Sequence, residues 1–170
     1  MNLFVIYIGG MHEKSLIELH DMRFCIAEKI EDTYDSLKKS WWGSPESLHL
    51  DAWGILKYAD GYAIKLENKP QQNSHNKLYF VNLGGYDKNK FTELHKNIFI
   101  VADNEINAKL KALKQTDQWE SPHRDYQYEI DHILDITNIA VSTNVFIHLH
   151  PTEDIQCFEF VCRYFSIGKK

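Results

Sequence analysis

The chain has 170 residues, 44% of them hydrophobic and 25% charged, and a net charge of −5. That length suits one compact domain, or two small ones sharing a core. The negative balance argues against a nucleic-acid backbone as the main partner, the three cysteines (Cys25, Cys157 and Cys162) against a disulfide framework, and no apolar run approaches membrane-spanning length.

Residues 3–10 read LFVIYIGG. A short run this apolar, stopped by paired glycines, is expected to be a strand covered on both faces. Gly9 and Gly10 imply positive φ or a close backbone approach. A mixed polar loop over residues 11–21 leads to a second strand at 23–27. Ile30, Tyr34, Leu37 and Trp41 then recur at helical spacing and form one apolar stripe. Glu31, Asp32 and Asp35 stand near its start and Lys38 and Lys39 near its end, the order that complements a helix dipole. Gly43 and Ser44-Pro45 close it. Residues 55–58 and 62–66 flank Asp60-Gly61 as a hairpin, and residues 70–76 have linker composition.

The order then returns. Residues 78–85 read LYFVNLGG, Glu93-Leu94-His95 repeats Glu18-Leu19-His20, and residues 98–102 repeat the second strand, all at a constant offset of 75. Ile106, Leu110 and Leu113 carry the second helical stripe, which is expected to be buried like the first. Asn144, which tolerates a left-handed backbone, stands for Gly61, and residues 145–150 stand for 62–67. A second hairpin turning at Thr143-Asn144 would set His150 opposite Thr137, with Asp135 diagonal to it. Residues 155–167 alternate as one more strand. The expected fold is α+β: two pseudo-symmetric ββαββ repeats, mainly antiparallel sheet with helices packed on it. They span residues 1–69 and 77–151, joined by 70–76 and followed by a C-terminal strand extension over 152–170, and they share one compact domain.

A strand ending in Gly-Gly, a loop closing on Glu-Leu-His, a strand ending in Ala and an acid, a helix ending in Trp, and an Asp-Gly-Tyr hairpin together resemble a bacterial family, domain of unknown function 1543. Its members carry one or two copies of the unit. The resemblance covers most of residues 2–151 and implies no activity. The second copy departs from the pattern: it lacks the Trp41-Trp42 pair and Asp60-Gly61.

The most repeated polar feature is Glu-x-His. In an extended segment residues i and i+2 face the same way, so Glu18 with His20, and Glu93 with His95, each set a carboxylate beside an imidazole, a pairing suited to acid–base work or metal ligation. The competing reading has each histidine tie its loop to the next strand. The glycine pairs Gly9-Gly10 and Gly84-Gly85 are the ligand-binding candidates, although a phosphate cradle needs a helix directly after the loop and a strand follows instead. Asp135, His148 and His150 are the candidate metal ligands, with His49 and Asp51 a weaker alternating pair; no bound metal or cofactor is expected. The first strands look like the short motif of RNA-recognition domains, but its longer basic-Gly-aromatic partner is missing. With no nucleophile, phosphate-loop or dinucleotide motif, the chain reads as a non-catalytic binding or interaction module of the cytoplasm, its one expected partner a second copy of itself. The alternative is a small hydrolase using the paired Glu and His side chains, with or without a metal.

Overall fold

Strands β1 (Asn2–Gly10) and β2 (Leu19–Ala27) are followed by a 3-10 turn (Ile30–Thr33), helix α1 (Tyr34–Ser40) and β3 (His49–Ile55). A hairpin of β4 (Tyr58–Ala59) and β5 (Tyr62–Glu67) comes next. The order strand, strand, helix, strand is met again in β6 (Lys77–Tyr86), β7 (Glu93–Ala102), α2 (Glu105–Leu113) and β8 (Ile130–Asp135). A 3-10 helix (Ile136–Thr143), β9 (Phe146–Pro151) and β10 (Phe160–Ser166) complete the elements. The computed structural model describes residues 1–72, 74–87, 89–115, 130–154 and 156–168.

The architecture is α+β and mainly antiparallel, in three sheets ordered β10-β3-β1-β2, β7-β6-β8 and β4-β5-β9. β1 and β6 each have partners on both sides and bury both faces, which explains their almost unbroken apolar runs. Their alternation divides the core. Leu3 and Val5 of β1 share one cluster with Leu78 and Phe80 of β6 and with Ile64, Ile147 and Leu149 of the hairpin sheet. Phe24 and Phe80 meet there with ring centroids 5.1 Å apart. The opposite face of β1 (Phe4, Ile6, Ile8) packs on Leu37 and Trp41. That of β6 (Tyr79, Val81, Leu83) packs on Ala108 and Ala112 of α2. The two larger sheets therefore face one another, with a helix outside each.

Two expectations change. First, α1 buries its stripe, Leu37 and Trp41 fully and Ile30 and Tyr34 in part, but α2 does not. Ile106 is 71% exposed and Leu110 55%, while Ala108 and Ala112 are buried. Small side chains let α2 lie close on its sheet, and Lys111 fixes its rotation by donating to the Val101 carbonyl (2.6 Å) and to Asp60 Oδ2 (3.1 Å). Second, β9 does not pair with the segment before it. It pairs with β5 of the first half, Lys65 opposite His148 and Ala63 opposite His150. Residues 136–143 are 3-10 helix, with Ile136 buried and the Leu78 amide donating to Thr137 Oγ1, so they offer no strand edge. The expected C-terminal strand forms as β10 and joins β3, at the edge of the first sheet.

The turn residues behave as their chemistry requires. Asp60 and Gly61 have φ of 49° and 79°, and Asn144 has φ of 56°. In both larger sheets the pairing slips by one residue at matched places, between Tyr7 and Ile8 of β1 and between Asn82 and Leu83 of β6. The residue left over on the neighbouring strand is Asp51 in one and Asp131 in the other.

Candidate functional site

Gly9 sits between His20 on β2 and His49 on β3, paired with both. Glu18 lies two residues before His20, and Asp51 is the bulge residue of β3, a position that re-aims a side chain out of the regular alternation. Four side chains thus meet over one glycine. His20 Nε2 stands 3.5 Å from Glu18 Oε2 and 3.4 Å from Asp51 Oδ2. His49 Nε2 stands 3.2 Å from Glu18 Oε1 and 3.4 Å from Asp51 Oδ1. The result is a ring in which imidazoles and carboxylates alternate.

The floor of this ring has to be glycine. A Cβ at Gly9 would lie 2.6 Å from Asp51 Oδ2 and 2.7 Å from His49 Nε2, and one at Gly10 would lie 2.7 Å from the Trp41 ring. Close approach, rather than a phosphate cradle, is the use of the first glycine pair, and neither residue has positive φ.

The two histidines are held differently. His49 is 1% exposed, and its Nδ1 is 2.7 Å from the Ser47 carbonyl. A carbonyl only accepts, so Nδ1 carries a hydrogen, and the other ring nitrogen, Nε2, faces Glu18 and Asp51. That Nε2 and Asp51 Oδ2 are both buried without a hydrogen-bond partner among the described residues. His20 has a side chain 35% exposed and stacks on Tyr7, centroids 5.2 Å apart and planes 5° from parallel. Burial raises the pKa of the Tyr7 phenol, and the charges of Asp51 and Asp21 push it the same way. Tyr164 of β10 lies against His49, ring to ring at 4.4 Å.

The second Glu-x-His pair lies in the other sheet. Glu93 Oε2 lies 3.8 Å from His95 Nε2, with His95 opposite Gly84 and Leu94 opposite Gly85 in the register of β6 and β7. The three metal candidates are separated. Asp135 is taken up by Lys77 Nζ (2.8 Å), Asn138 Nδ2 (2.9 Å) and the Thr137 amide (3.0 Å). It left the expected trio because β8 pairs with β6 and not with β9. His148 and His150 are joined instead by Glu67. Sequence reasoning ranked His49 and Asp51 last. Their alternation was visible, but only the pairing of β3 with β1 brings them to Glu18 and His20.

Residues 15–66 match the family described as Domain of Unknown Function (DUF1543). No curated protein matches the chain. Its fold is similar to that of the crystal structure of a protein Il1583 from Idiomarina loihiensis, 27% identical, with 99% of each chain covered and a TM-score of 0.72. Among the described residues no helix is long and apolar enough to cross a membrane. The match over residues 15–66 contains Glu18, His20, His49 and Asp51, and it supports the Domain of Unknown Function (DUF1543) family for this chain.

Proposed function

We propose that the chain is a binding module that takes a positively charged, hydrogen-bond-donating group of a small ligand, an ammonium or a guanidinium, between Glu18, His20, His49 and Asp51. One observation carries this reading. His49 Nε2 and Asp51 Oδ2 are buried without a hydrogen-bond partner among the described residues, in a ring whose other members are a carboxylate and a second imidazole. Leaving such atoms unsatisfied costs about 1–3 kcal/mol each, and a donating cation offsets that cost when it binds. Tyr7 and Tyr164, flanking the two imidazoles, add π-faces that favour the same charge.

The test is a titration of the full chain with arginine amide and with cadaverine, read on the histidine side-chain resonances. Tetramethylammonium, a cation that cannot donate, serves as control. Movement of His20 and His49 with the first two only, abolished in Asp51→Asn, is the expected result. An unmoved spectrum at millimolar probe rules the reading out.

A second reading, acid–base hydrolysis, is favoured by His20 alone: it is half-open to solvent and stands between two carboxylates. It predicts turnover of some ester or amide that His20→Ala abolishes.

The same proposal takes the chain as two copies of one ββαββ unit, over residues 1–69 and 77–151, joined by 70–76 and extended by 152–170, in a bacterial cytoplasmic protein. The matched strand order and the matched bulges support the duplication. Self-association through the outer edge of β10, whose Phe160, Val161 and Tyr164 are exposed, is the homodimer this reading expects.

A further inference from the structure

A second polar cluster lies away from the Gly9 ring, on the hairpin sheet. Glu67, His148 and His150 each offer a ligand atom, and these atoms lie within 4.8 Å of one another. The antiparallel register of β5 and β9 explains the convergence. His150 faces Ala63 and His148 faces Lys65, so both imidazoles share a face with Glu67, two residues beyond Lys65. Ile64, Ile147 and Leu149, one residue out of phase, fill the core instead.

This face is not the open hairpin surface that its sequence suggests. The segment after β5 folds over it. The Gln71 side-chain amide donates to the Leu149 carbonyl (3.0 Å) and accepts from the Leu149 amide (2.9 Å), so it pairs with the free edge of β9 as a strand would. The Lys69 carbonyl lies 2.7 Å from His148 Nε2. Only 10% of the His148 side chain remains exposed.

That last contact fixes one nitrogen. The Lys69 carbonyl accepts, so Nε2 of His148 carries a hydrogen and its Nδ1 is left facing Glu67 Oε1 at 3.5 Å. His150 Nε2 is buried and without a hydrogen-bond partner among the described residues. Three atoms able to donate an electron pair to a metal therefore lie together, and His150 Nε2 is not engaged elsewhere among the described residues. An imidazole whose far nitrogen donates to a backbone carbonyl is the arrangement that orients histidine metal ligands. A separation of 3.5 Å is long for a hydrogen bond, but it is close to the edge, about 3.3–3.4 Å, of a tetrahedron with metal–ligand bonds of about 2.0–2.1 Å.

We infer that Glu67, His148 (through Nδ1) and His150 (through Nε2) form a binding site for a divalent transition-metal ion of the zinc class. Two imidazoles and one carboxylate suit zinc, cobalt or nickel and disfavour calcium and magnesium, which take oxygen ligands. Three protein ligands leave a fourth position for water or an anion. Glu67 is exposed and comes from the first half, whereas both histidines come from the second. The ion would therefore join the two halves across the β5–β9 seam, with the residue 68–71 segment holding His148 in place.

The experiment uses the full chain, stripped with a chelator, dialysed and titrated separately with Zn2+ in a calorimeter and with Co2+ by visible absorption. Expected are one equivalent of tight binding and Co2+ bands of tetrahedral intensity. His150→Gln should weaken binding at least a hundredfold and Glu67→Gln about tenfold, with the fold confirmed by circular dichroism. Glu67 is exposed, so Glu67→Gln tests the site even if the histidine variants fold poorly. His49→Ala should bind as the parent does. Absence of binding at micromolar metal overturns the inference, as does binding that survives His150→Gln and Glu67→Gln but disappears in His49→Ala.

Discussion

The Gly9 end of the first sheet and the Gly84 end of the second share nearly every backbone feature. In both, a central strand carries two adjacent glycines near its C-terminal end, the neighbour opposite the first glycine is a histidine preceded by Glu-Leu, and the third strand carries an aspartate at a one-residue slip. They differ in what is built upon this frame. At Gly9 a buried His49 completes a four-membered ring, and β10 brings Tyr164 against it. At the second end the residue before Ile130 in sequence is Glu129, where the first has His49 before Leu50, and among the described residues the second sheet has three strands where the first has four. The features held in common are those the backbone needs; the imidazole of His49 and the fourth strand are what the first sheet adds. Glu-x-His by itself, present at both ends, does not distinguish a site. His49 does.

The helices offer the sharpest way to break that comparison. Leu37→Ala in α1 should cost about 2–5 kcal/mol in chemical denaturation, because Leu37 is fully buried. Leu110→Ala in α2 should cost under about 0.5 kcal/mol, the range of surface changes. Equal losses would mean that the two halves bury their helices alike. The sheet ends come next. Gly9→Ala forces a methyl group onto Asp51 and His49 and should cost about 1–3 kcal/mol through overpacking, together with any response to arginine amide.

A smaller effect separates a site kept for binding from one kept for folding. Asp51→Asn relieves crowded acceptors and should leave stability unchanged or raise it by up to about 1 kcal/mol, as removal of a strained functional group commonly does. A loss above about 1 kcal/mol would make the ring a structural device. The mildest test compares β2 with the C-terminal segment. Burial holds the Cys25 thiol above its ordinary pKa, opposed by its contact with Ser36 and the charge of Arg23, whereas Cys157 and Cys162 are exposed. Since the thiolate is the reactive form, iodoacetamide should modify Cys157 and Cys162 first at pH 8, and Cys25 should catch up only as pH rises. Equal rates would place Cys25 at the surface.

Much of the local structure was legible in the residues, because its causes are local. LFVIYI and LYFVNL form the central strands, which run on through the glycine pairs rather than stopping at them, Asp60-Gly61 and Asn144 take left-handed turns, and Leu37 and Trp41 mark the inner face of the first helix. What escaped depends on contacts between distant segments. Ala108 and Ala112 carry little hydrophobic signal, so Ile106, Leu110 and Leu113 outweighed them in the helical pattern although the close-packed face is the small one. The pairing of β9 with β5 moved His148 and His150 from Asp135 to Glu67. No spacing within residues 49–51 reports that β3 lies beside Gly9, which is why His49 and Asp51 looked like the least promising pair.

The late arrival of β10 at the first sheet has a consequence for synthesis. A ribosome delivers β1, β2, α1 and β3 long before it delivers residues 160–166, so the nascent first half carries β3 with one row of backbone donors and acceptors unpaired. Domains begin to fold as they emerge, and pairing across so much intervening chain is slow to form. During that interval the open edge of β3 is where another nascent chain, or a chaperone, would add a strand. A ribosome stalled within the second half would hold a product whose surface recruits its own copies.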